Sequence, residues 1–249
     1  MEFIRVNSDN IEKEHICCAI SNNNDCQVHS KKEWLKSRFD EGLVFLKANE
    51  RGKCFIEYIP AEYAWAPIDA NDFLYINCLW VSGQFKGKGY SRKLLDYCLG
   101  DAREKGKKGL VILSATKKMP FLSDPGFLTH AGFQVADEAE PNYRLMYLPL
   151  DNTAKIPKFR EQVKKPHIEE KGYVLYYTAQ CPYTAKYAPL IDEVAHENQI
   201  PFQAIQITSL GEAKEARAPF TSYSLFYNGE FVTNEILSVA KFSKMITNQ

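Results

Sequence analysis

Residues 80–90 read WVSGQFKGKGY and separate two segments of different periodicity. Residues 73–81, FLYINCLWV, form a near-continuous apolar run, which predicts a strand buried on both faces. Residues 91–106, SRKLLDYCLGDAREKG, are amphipathic, which predicts a helix. The quoted stretch holds three glycines and two lysines and no acidic residue. A strand, a glycine-rich turn and a helix therefore follow one another here, and the rest of the fold is built around them.

The turn is suited to bind a phosphate or pyrophosphate group. Its glycines allow successive backbone N–H groups to face one point. The helix that begins near Tyr90 adds N–H groups and the positive end of its dipole, and Lys86 and Lys88 add charge. Two common phosphate motifs do not match, because Gly89 stands where a P-loop needs Ser or Thr and Arg92 breaks the dinucleotide fingerprint.

The remaining pattern, V-x-x-Q-x-x-G-x-G at the end of a buried strand, resembles motif A of the GNAT superfamily of acyl-CoA-dependent N-acetyltransferases. The matching residues are Val81, Gln84, Gly87 and Gly89. A second similar element, HAGF, follows at 130–133. Segments such as EHICCAI, FIEYIPAEYAW and KKGLVILS are similar to the YoaP-like branch, a bacterial group with a distinct C-terminal domain.

The resemblance implies that acetyl-CoA is the cosubstrate. Its pyrophosphate would bind the loop N–H groups, and its pantetheine arm would pair with the exposed edge of the strand at 79–81. Backbone N–H groups of Trp80 and Val81 would polarise the thioester carbonyl for direct attack by an amine. The implied acetyl-CoA site consists of Leu79, Trp80, Val81, Gln84, Phe85, Lys86, Gly87, Lys88, Gly89 and Tyr90.

The acid that protonates the leaving thiolate has two candidates. Many relatives use a tyrosine of the late helix, but this chain has Leu128 at that position of FLTHAGF. Ser123, near the start of the predicted helix, and Tyr143, near the final strand, are the substitutes. Each also has a structural interpretation, as a helix cap and as a packed aromatic side chain.

The base also has more than one candidate. Asn77 stands where relatives often carry a carboxylate, and the nearest carboxylate on a neighbouring strand is Glu57, in FIEYI. If its apolar neighbours desolvate Glu57, its pKa would rise toward a value suited to a base. If the side chain projects into solvent, deprotonation through water is the alternative.

The order of patterns along residues 1–151 predicts an α/β (α+β) fold. Its sheet is expected to be mixed and mostly antiparallel, with helices on both faces. Residues 152–171 contain two prolines and many charges without periodicity, which predicts a linker. A fresh strand, YVLYYTA, begins at Tyr173, so a small second domain is predicted at 172–249.

The second domain resembles the thioredoxin and glutaredoxin fold. It reads as strand, helix, strand, an Asn228-Gly229 hairpin and a closing helix, with CPYT at 181–184 where a strand meets a helix. Thr184 replaces the second cysteine of the usual C-x-x-C, so an internal dithiol cycle is excluded. Thr221 stands where the fold usually has a cis-proline. At a helix start, Cys181 is expected to have a pKa below its free value of about 8.5.

Composition excludes several classes of partner. Thirty-one basic and 31 acidic residues balance, so no net charge attracts nucleic acid or an anionic membrane. The apolar runs are too short to span a bilayer, and the first residues lack the apolar core of a signal peptide. We therefore expect a cytoplasmic protein. Its seven cysteines lack metal-ligand spacing, and adjacent Cys17 and Cys18 would point to opposite faces of a strand, so no metal site is predicted.

Two functions follow from these patterns. The first is an acyl-CoA-dependent N-acetyltransferase that acetylates an amine, with the C-terminal domain aiding substrate recognition. The alternative is a redox or binding protein that acts through the Cys181 thiol, with the GNAT half as a CoA-binding or sensing module. Neither the acceptor nor the oligomeric state has a signature in this sequence.

Overall fold

The computed structural model describes residues 1–16, 22–151 and 153–247, and the predicted strand with Cys17 and Cys18 lies outside these ranges. The strands of residues 1–159 are β1 (Phe3–Val6), β2 (Val44–Ala48), β3 (Cys54–Pro60), β4 (Ile68–Asp69), β5 (Phe73–Val81), β6 (Gly109–Ala115), β7 (Gln134–Ala139), β8 (Tyr143–Pro149) and β9 (Lys158–Phe159). The helices of this region are α1 (Cys26–Lys36), α2 (Tyr90–Glu104) and α3 (Pro125–His130).

Seven of the described strands form one sheet in the order β1-β2-β3-β5-β6-β8-β7. Strands β5 and β6 are parallel, and all other neighbours are antiparallel. Leu94 and Leu95 of α2 belong to the core on one face, and Val28 and Leu35 of α1 belong to the core on the other. The predicted mixed, mostly antiparallel sheet with helices on both faces is confirmed.

Strand β3 contributes to both cores because its side chains alternate between the faces. Cys54 and Ile56 pack in the core beneath α2, and Phe55 and Ile59 pack in the core beneath α1. Glu57 lies between Phe55 and Ile59 in this alternation. Its carboxylate therefore points toward α1, into the interior of the protein.

Strand β5 is buried on both faces only along its first half. Phe73–Ile76 are buried, whereas the residues from Asn77 to Val81 are partly exposed. The reason is that β6 pairs only with Phe73–Ile76. The prediction of a strand buried on both faces is wrong for the second half, because periodicity does not report where a neighbouring strand diverges.

Helix α1 begins five residues before the amphipathic stretch KKEWLKSRFDEG at 31–42. The Asp25 side chain accepts a hydrogen bond from the Gln27 N–H at 2.9 Å, so the helix begins at Cys26. It ends at Lys36, and a short 3₁₀ turn at Phe39–Glu41 follows.

The segment predicted as a linker contains ordered structure. Strand β9 pairs with β4, and the short 3₁₀ helix Glu161–Val163 follows it. Phe159 and Val163 are buried in the core beneath α1. The segment therefore packs against the first part of the chain, while the domain boundary itself stays a prediction.

The C-terminal part forms a four-stranded sheet among the described residues. Its strands are β10 (Tyr173–Tyr177), β11 (Phe202–Gln206), β12 (Tyr223–Tyr227) and β13 (Glu230–Thr233), in the order β11-β10-β12-β13. Its helices are α4 (Pro182–Glu197), α5 (Leu210–Lys214) and α6 (Val239–Thr247). The predicted hairpin is confirmed, since Asn228 and Gly229 both adopt positive φ between β12 and β13.

The two parts of the chain share an interface at which α1 packs on α4. The Thr221 hydroxyl donates to the Trp65 carbonyl at 2.5 Å, and Asn234 Nδ2 donates to the Pro120 carbonyl at 3.1 Å. No helix in the described ranges is long and apolar enough to cross a membrane.

Candidate active site

The centre of the first part is the point where β5 and β6 separate. Their pairing ends at Ile76 and Ile112. On the other side of β5, Glu57 lies opposite Cys78 while Tyr58 lies opposite Ile76, so Asn77 is an extra residue at a β-bulge. A bulge bends its strand. The backbone edge of residues 77–81 that faces β6 is consequently open to an extended ligand.

The glycine-rich loop begins where this open edge ends. Gly83, Gly87 and Gly89 have φ values of +62°, +77° and +75°. These values lie in the left-handed region that L side chains rarely adopt. A Cβ atom at each glycine would meet no other atom within 4 Å. Backbone conformation rather than crowding within the protein therefore requires glycine here.

The loop presents N–H groups that have no protein acceptor. Among the described residues, the backbone N–H groups from Gly87 to Arg92 donate no hydrogen bond, and the first such bond of α2 runs from the Lys93 N–H to the Gly89 carbonyl at 3.2 Å. The first turn of α2 has no acidic residue. Exposed cations also surround it, although cations are unfavourable at a helix N-terminus. Both features fit a bound polyanion such as a pyrophosphate.

The predicted cofactor residues take different parts in this loop. Gln84 Nε2 donates to the Arg51 carbonyl at 3.3 Å and so ties the loop to the β2–β3 turn. The Phe85 ring is buried in the core at 6.1 Å from the Tyr90 ring, and it supports the loop from beneath. Lys86 and Lys88 are exposed.

The three predicted residues of β5 lie along its open edge. Leu79 and Val81 pack their side chains on the core beneath α2, and Trp80 packs on the opposite core. Lys53 Nζ lies 4.5 Å from the Trp80 ring centroid. The side chains of these residues are thus engaged with the protein. The backbone groups of Leu79 and Val81 face the open edge, whereas those of Trp80 face Phe55 of β3, because the Ser82 N–H donates to the Lys53 carbonyl and backbone groups alternate between the two edges.

Glu57 lies in a buried polar cluster and does not project into solvent. Its side chain is 1% exposed. One carboxylate oxygen accepts from Lys31 Nζ at 2.5 Å, and the other accepts from Asn77 Nδ2 at 3.0 Å. The Asn77 Oδ1 atom is buried and has no hydrogen-bond partner among the described residues. Glu57, the candidate base, is thus hydrogen-bonded to Asn77, the residue at the position where the resemblance led us to look for a carboxylate.

Lys31 was not predicted as a site residue. It lies three residues after Val28 and four before Leu35, which is a buried position of an amphipathic helix. The sequence did contain one signal for Lys31, namely a charged residue on the apolar face of the predicted helix. Its Nζ also donates to the Gln180 carbonyl of the C-terminal part at 2.7 Å, so it connects the two parts of the chain.

Tyr143 lies on β8 opposite Ala115 of β6 and is 1% exposed. It belongs to the core beneath α1, so it shares a face of the sheet with Glu57. Burial raises the pKa of its phenol, which stays protonated. Its hydroxyl has no hydrogen-bond partner in the part of the chain that the structure describes, although its ring packs 5.9 Å from Phe231.

Ser123 does not cap α3. Asp124 does so, and its Oδ1 accepts from the N–H groups of Gly126 and Phe127 at 2.9 and 3.2 Å. The carbonyl of Ser123 accepts from Ser114 Oγ at 2.7 Å, which attaches the segment before α3 to β6. Leu128 is fully buried in the core beneath α2, as expected for a residue without proton chemistry.

Cys181 precedes the first residue of α4, as predicted, but its thiol is not activated. Burial raises its pKa to about 11, and the hydrogen bond from the Tyr183 N–H and the charge of Lys31 only partly oppose this. The expectation of a lowered pKa is wrong, because desolvation outweighs the helix N-terminus.

Thr184 fixes the turn that holds Cys181. Its hydroxyl lies 2.7 Å from the carbonyl oxygens of both Thr178 and Cys181. The threonine that replaces the second cysteine is therefore a structural residue.

A groove of about 210 Å³ lies between the two parts of the chain. Phe121, with φ +63°, comes from the segment after β6, and its ring lies 6.4 Å from that of Tyr183. The lining residues are Phe121, Tyr183, Tyr187, Ile236, Ser238 and Lys241. The groove is mainly aromatic, with a hydroxyl and an ammonium group at its side.

Comparisons with models of known protein families indicate the family to which this fold and this loop belong. Residues 8–120 match the family model described as "Acetyltransferase (GNAT) family". Residues 201–244 match the model described as "YoaP-like". The first match contains the open edge of β5 and the whole glycine-rich loop.

A curated relative extends the similarity to nearly the whole chain. It is the "Uncharacterized N-acetyltransferase YoaP" of Bacillus subtilis (strain 168), 47% identical over 247 residues, which cover 99% of this chain and 98% of the relative. The chain therefore belongs to the GNAT family of N-acetyltransferases, with a YoaP-like C-terminal domain. The predicted class, an acyl-CoA-dependent N-acetyltransferase that uses acetyl-CoA, is confirmed at the level of the family.

Two solved structures were also similar. One is the YncA acetyltransferase from Salmonella typhimurium with its cofactor acetyl-CoA, 16% identical, with a TM-score of 0.42 over 62% of this chain and 96% of that chain. The other is a GNAT family acetyltransferase from Brucella melitensis in complex with acetyl-CoA, 15% identical, with a TM-score of 0.39 over 64% and 96% of the two chains.

Proposed function

We propose that this protein transfers an acetyl group from acetyl-CoA to an amine acceptor, and that its C-terminal domain helps to select that acceptor. The observation that carries the proposal is the open edge of β5 beside a loop whose N–H groups, from Gly87 to Arg92, have no acceptor among the described residues. An extended arm with a pyrophosphate at one end fits these two features together. Acetyl-CoA has this shape, and it supplies the acetyl group as a thioester.

In this proposal the backbone does most of the binding. The loop N–H groups hold the pyrophosphate, and Lys86 and Lys88 add screened charge from the surface. Residues 79–81 pair with the pantetheine arm in the manner of an added strand. The Val81 N–H polarises the thioester carbonyl. The Trp80 N–H, which the resemblance also implied, faces Phe55 of β3, in the register in which the Ser82 N–H donates to the Lys53 carbonyl at 2.8 Å.

Glu57 is the proposed base. Its buried carboxylate is held at one oxygen by Lys31 Nζ and at the other by Asn77 Nδ2. Beside it, the unpartnered Asn77 Oδ1 is a buried acceptor. A buried oxygen that receives no hydrogen bond is unfavourable. The substrate amine that receives the acetyl group would supply the missing N–H. The proton of the amine passes to Glu57 directly or through water.

Tyr143 is the proposed donor to the leaving sulfur, in preference to Ser123. Its buried hydroxyl lacks a partner among the described residues, and a buried orphan group of this kind calls for a functional explanation. Because its pKa is raised, it acts by donating a hydrogen bond rather than by ionising.

The C-terminal domain is proposed to be thioredoxin-like and to act in recognition. Its strand order β11-β10-β12-β13, with β10 parallel to β11 and antiparallel to β12, supports this topology. The groove between Phe121 and α4 offers a position for the acceptor. The alternative function through Cys181 is not favoured, since that thiol has a raised pKa and lacks a resolving cysteine.

Calorimetry with acetyl-CoA tests the proposal, followed by a screen of peptides and small amines for consumption of the acetyl donor. We expect saturable binding of acetyl-CoA at one site and CoA release with one acceptor class. A folded protein that does not bind acetyl-CoA would contradict the assignment.

A further inference from the structure

We propose that Lys31 is a positioning residue that makes the C-terminal domain part of the acetyl-transfer site. Its ammonium joins the carboxylate of Glu57 to the backbone of the turn before α4. The inference rests on the proposed function, because it concerns the same transfer site, but it adds a dependence of catalysis on the C-terminal domain.

Lys31 is held more firmly than an ordinary lysine. Its side chain is 2% exposed, although lysine is almost never fully buried unless it is paired. Among its partners, Glu57 Oε2 lies at 2.5 Å from Nζ on one side and the Gln180 carbonyl oxygen at 2.7 Å on the other. Glu57 belongs to the first part of the chain and Gln180 to the second. The Lys31 ammonium therefore contacts both parts of the chain.

The orientation of Glu57 depends on Lys31. Asn77 Nδ2 fixes one carboxylate oxygen, and Lys31 fixes the other. Without Lys31 the buried carboxylate loses its counter-ion and one of the two hydrogen bonds that orient it. A carboxylate that rotates toward another donor is no longer positioned to accept the proton of the amine.

The turn that holds Lys31 is itself rigid. The Thr184 hydroxyl holds the turn in place, because it lies within hydrogen-bond distance of the carbonyl oxygens of Thr178 and Cys181. The Gln180 N–H also donates to Thr178 Oγ1 at 3.3 Å. The carbonyl of Gln180 is consequently presented to Lys31 in a fixed position. This gives the CPYT sequence at 181–184 a role in place of dithiol chemistry.

Four full-length proteins test the link: wild type, Lys31→Met, Lys31→Arg and Lys47→Met. Lys47 is the matched control, since it is also a buried lysine paired with a glutamate, Glu14, at 2.8 Å. We measure kcat with the acceptor found in the screen, the Kd for acetyl-CoA by calorimetry, and the rate at which iodoacetamide labels Cys181.

For Lys31→Met we expect kcat to fall by about thirtyfold while the Kd for acetyl-CoA stays within about twofold, because only the transfer step loses its positioning group. Release of the turn should make Cys181 label about fivefold faster. Lys31→Arg keeps the charge and should recover part of both losses. Lys47→Met should match wild type in kcat and in labelling.

Wild-type kcat and wild-type labelling in Lys31→Met would overturn the inference, as would equal losses in Lys47→Met. If Lys31→Met does not fold, Thr184→Val tests the same link from the other side. It should lower kcat by about fivefold without weakening acetyl-CoA binding, and an unchanged kcat would equally overturn the inference. A wild-type protein that binds no acetyl-CoA would instead contradict the proposed function itself.

Discussion

At the scale of single residues, the environment of Cys181 favours substrate recognition over thiol chemistry as the role of the C-terminal domain. Burial raises its pKa to about 11, and the charge of Glu57 adds to this effect. Below that pKa the sulfur carries its proton and is a poor nucleophile. We therefore expect Cys181→Ser to transfer acetyl groups within about threefold of wild type, a difference below about 0.7 kcal/mol.

The pH dependence of thiol labelling checks this expectation. Because the pKa of Cys181 is raised, its thiolate and its labelling by iodoacetamide should increase as the pH rises toward 11. Exposed Cys26 is the internal reference and should label before Cys181. The pKa of Cys54 is also raised to about 11, so Cys54 should label slowly as well. A hundredfold loss of activity in folded Cys181→Ser would make the thiol part of the mechanism.

Tyr143 is a residue at which function and stability should oppose each other. Its buried hydroxyl has no partner among the described residues, so Tyr143→Phe should raise the free energy of unfolding by about 1 kcal/mol. If the hydroxyl donates to the leaving sulfur, the same change should lower kcat by about tenfold. Chemical denaturation and steady-state kinetics measure the two effects.

Tyr58→Phe is the matched control for this experiment. Tyr58 is also fully buried, but it donates to Asp101 Oδ2 at 2.9 Å beneath the opposite face of the sheet. Removing its hydroxyl should therefore lower the free energy of unfolding by about 1 kcal/mol and leave kcat unchanged. Wild-type turnover in Tyr143→Phe would remove Tyr143 from the proposed mechanism.

At the scale of elements, periodicity predicted which segments form strands and helices but not where their neighbours end. The run at 73–81 is one strand, as predicted, yet only its first half is paired with β6. The bulge at Asn77 arises from pairing with β3, and no local pattern in the sequence encodes that register. The open edge was predicted only from the family resemblance, whereas the chemistry of the loop followed from its glycines and lysines.

The loop makes a prediction about glycine at the start of α2. Gly89 has φ +75°, so Gly89→Ala costs about 1 kcal/mol of stability from backbone strain. It should also weaken acetyl-CoA binding by about tenfold, because the strained residue no longer presents its N–H groups in line with those of α2. Calorimetry and thermal unfolding measure the two losses.

Gly106→Ala provides the comparison from the other end of the same helix. Gly106 has φ +63°, and like Gly89 it has open space around a new Cβ. Its substitution should cost a similar amount of stability and leave acetyl-CoA binding unchanged. Equal affinities in the two variants would argue against a pyrophosphate site in the loop.

At the scale of the whole molecule, composition suggested two domains joined by a polar linker, and the contacts between them had no signature in the sequence. The ion pair of Lys31 and Glu57 joins residues 26 positions apart, and the Lys31–Gln180 hydrogen bond spans 149 positions. A pattern read in short windows does not contain such pairs. It likewise missed Phe159 and Val163, whose burial depends on the shape of the first core.

These contacts predict what deletion of the C-terminal domain would do. A chain that ends at Lys164 keeps β9 and Val163, so it should fold and bind acetyl-CoA with near-wild-type affinity. A chain that ends at Asp151 loses the burial of Phe159 and Val163 and should be less stable by about 3 kcal/mol. Without the Gln180 turn, both should transfer acetyl groups at least about tenfold more slowly than the full chain.

Denaturation measures the predicted stabilities, calorimetry the affinities for acetyl-CoA, and turnover the rates of acetyl transfer. If the chain ending at Lys164 is insoluble, the two domains share one core; if its turnover equals that of the full chain, the C-terminal domain is not part of the transfer site.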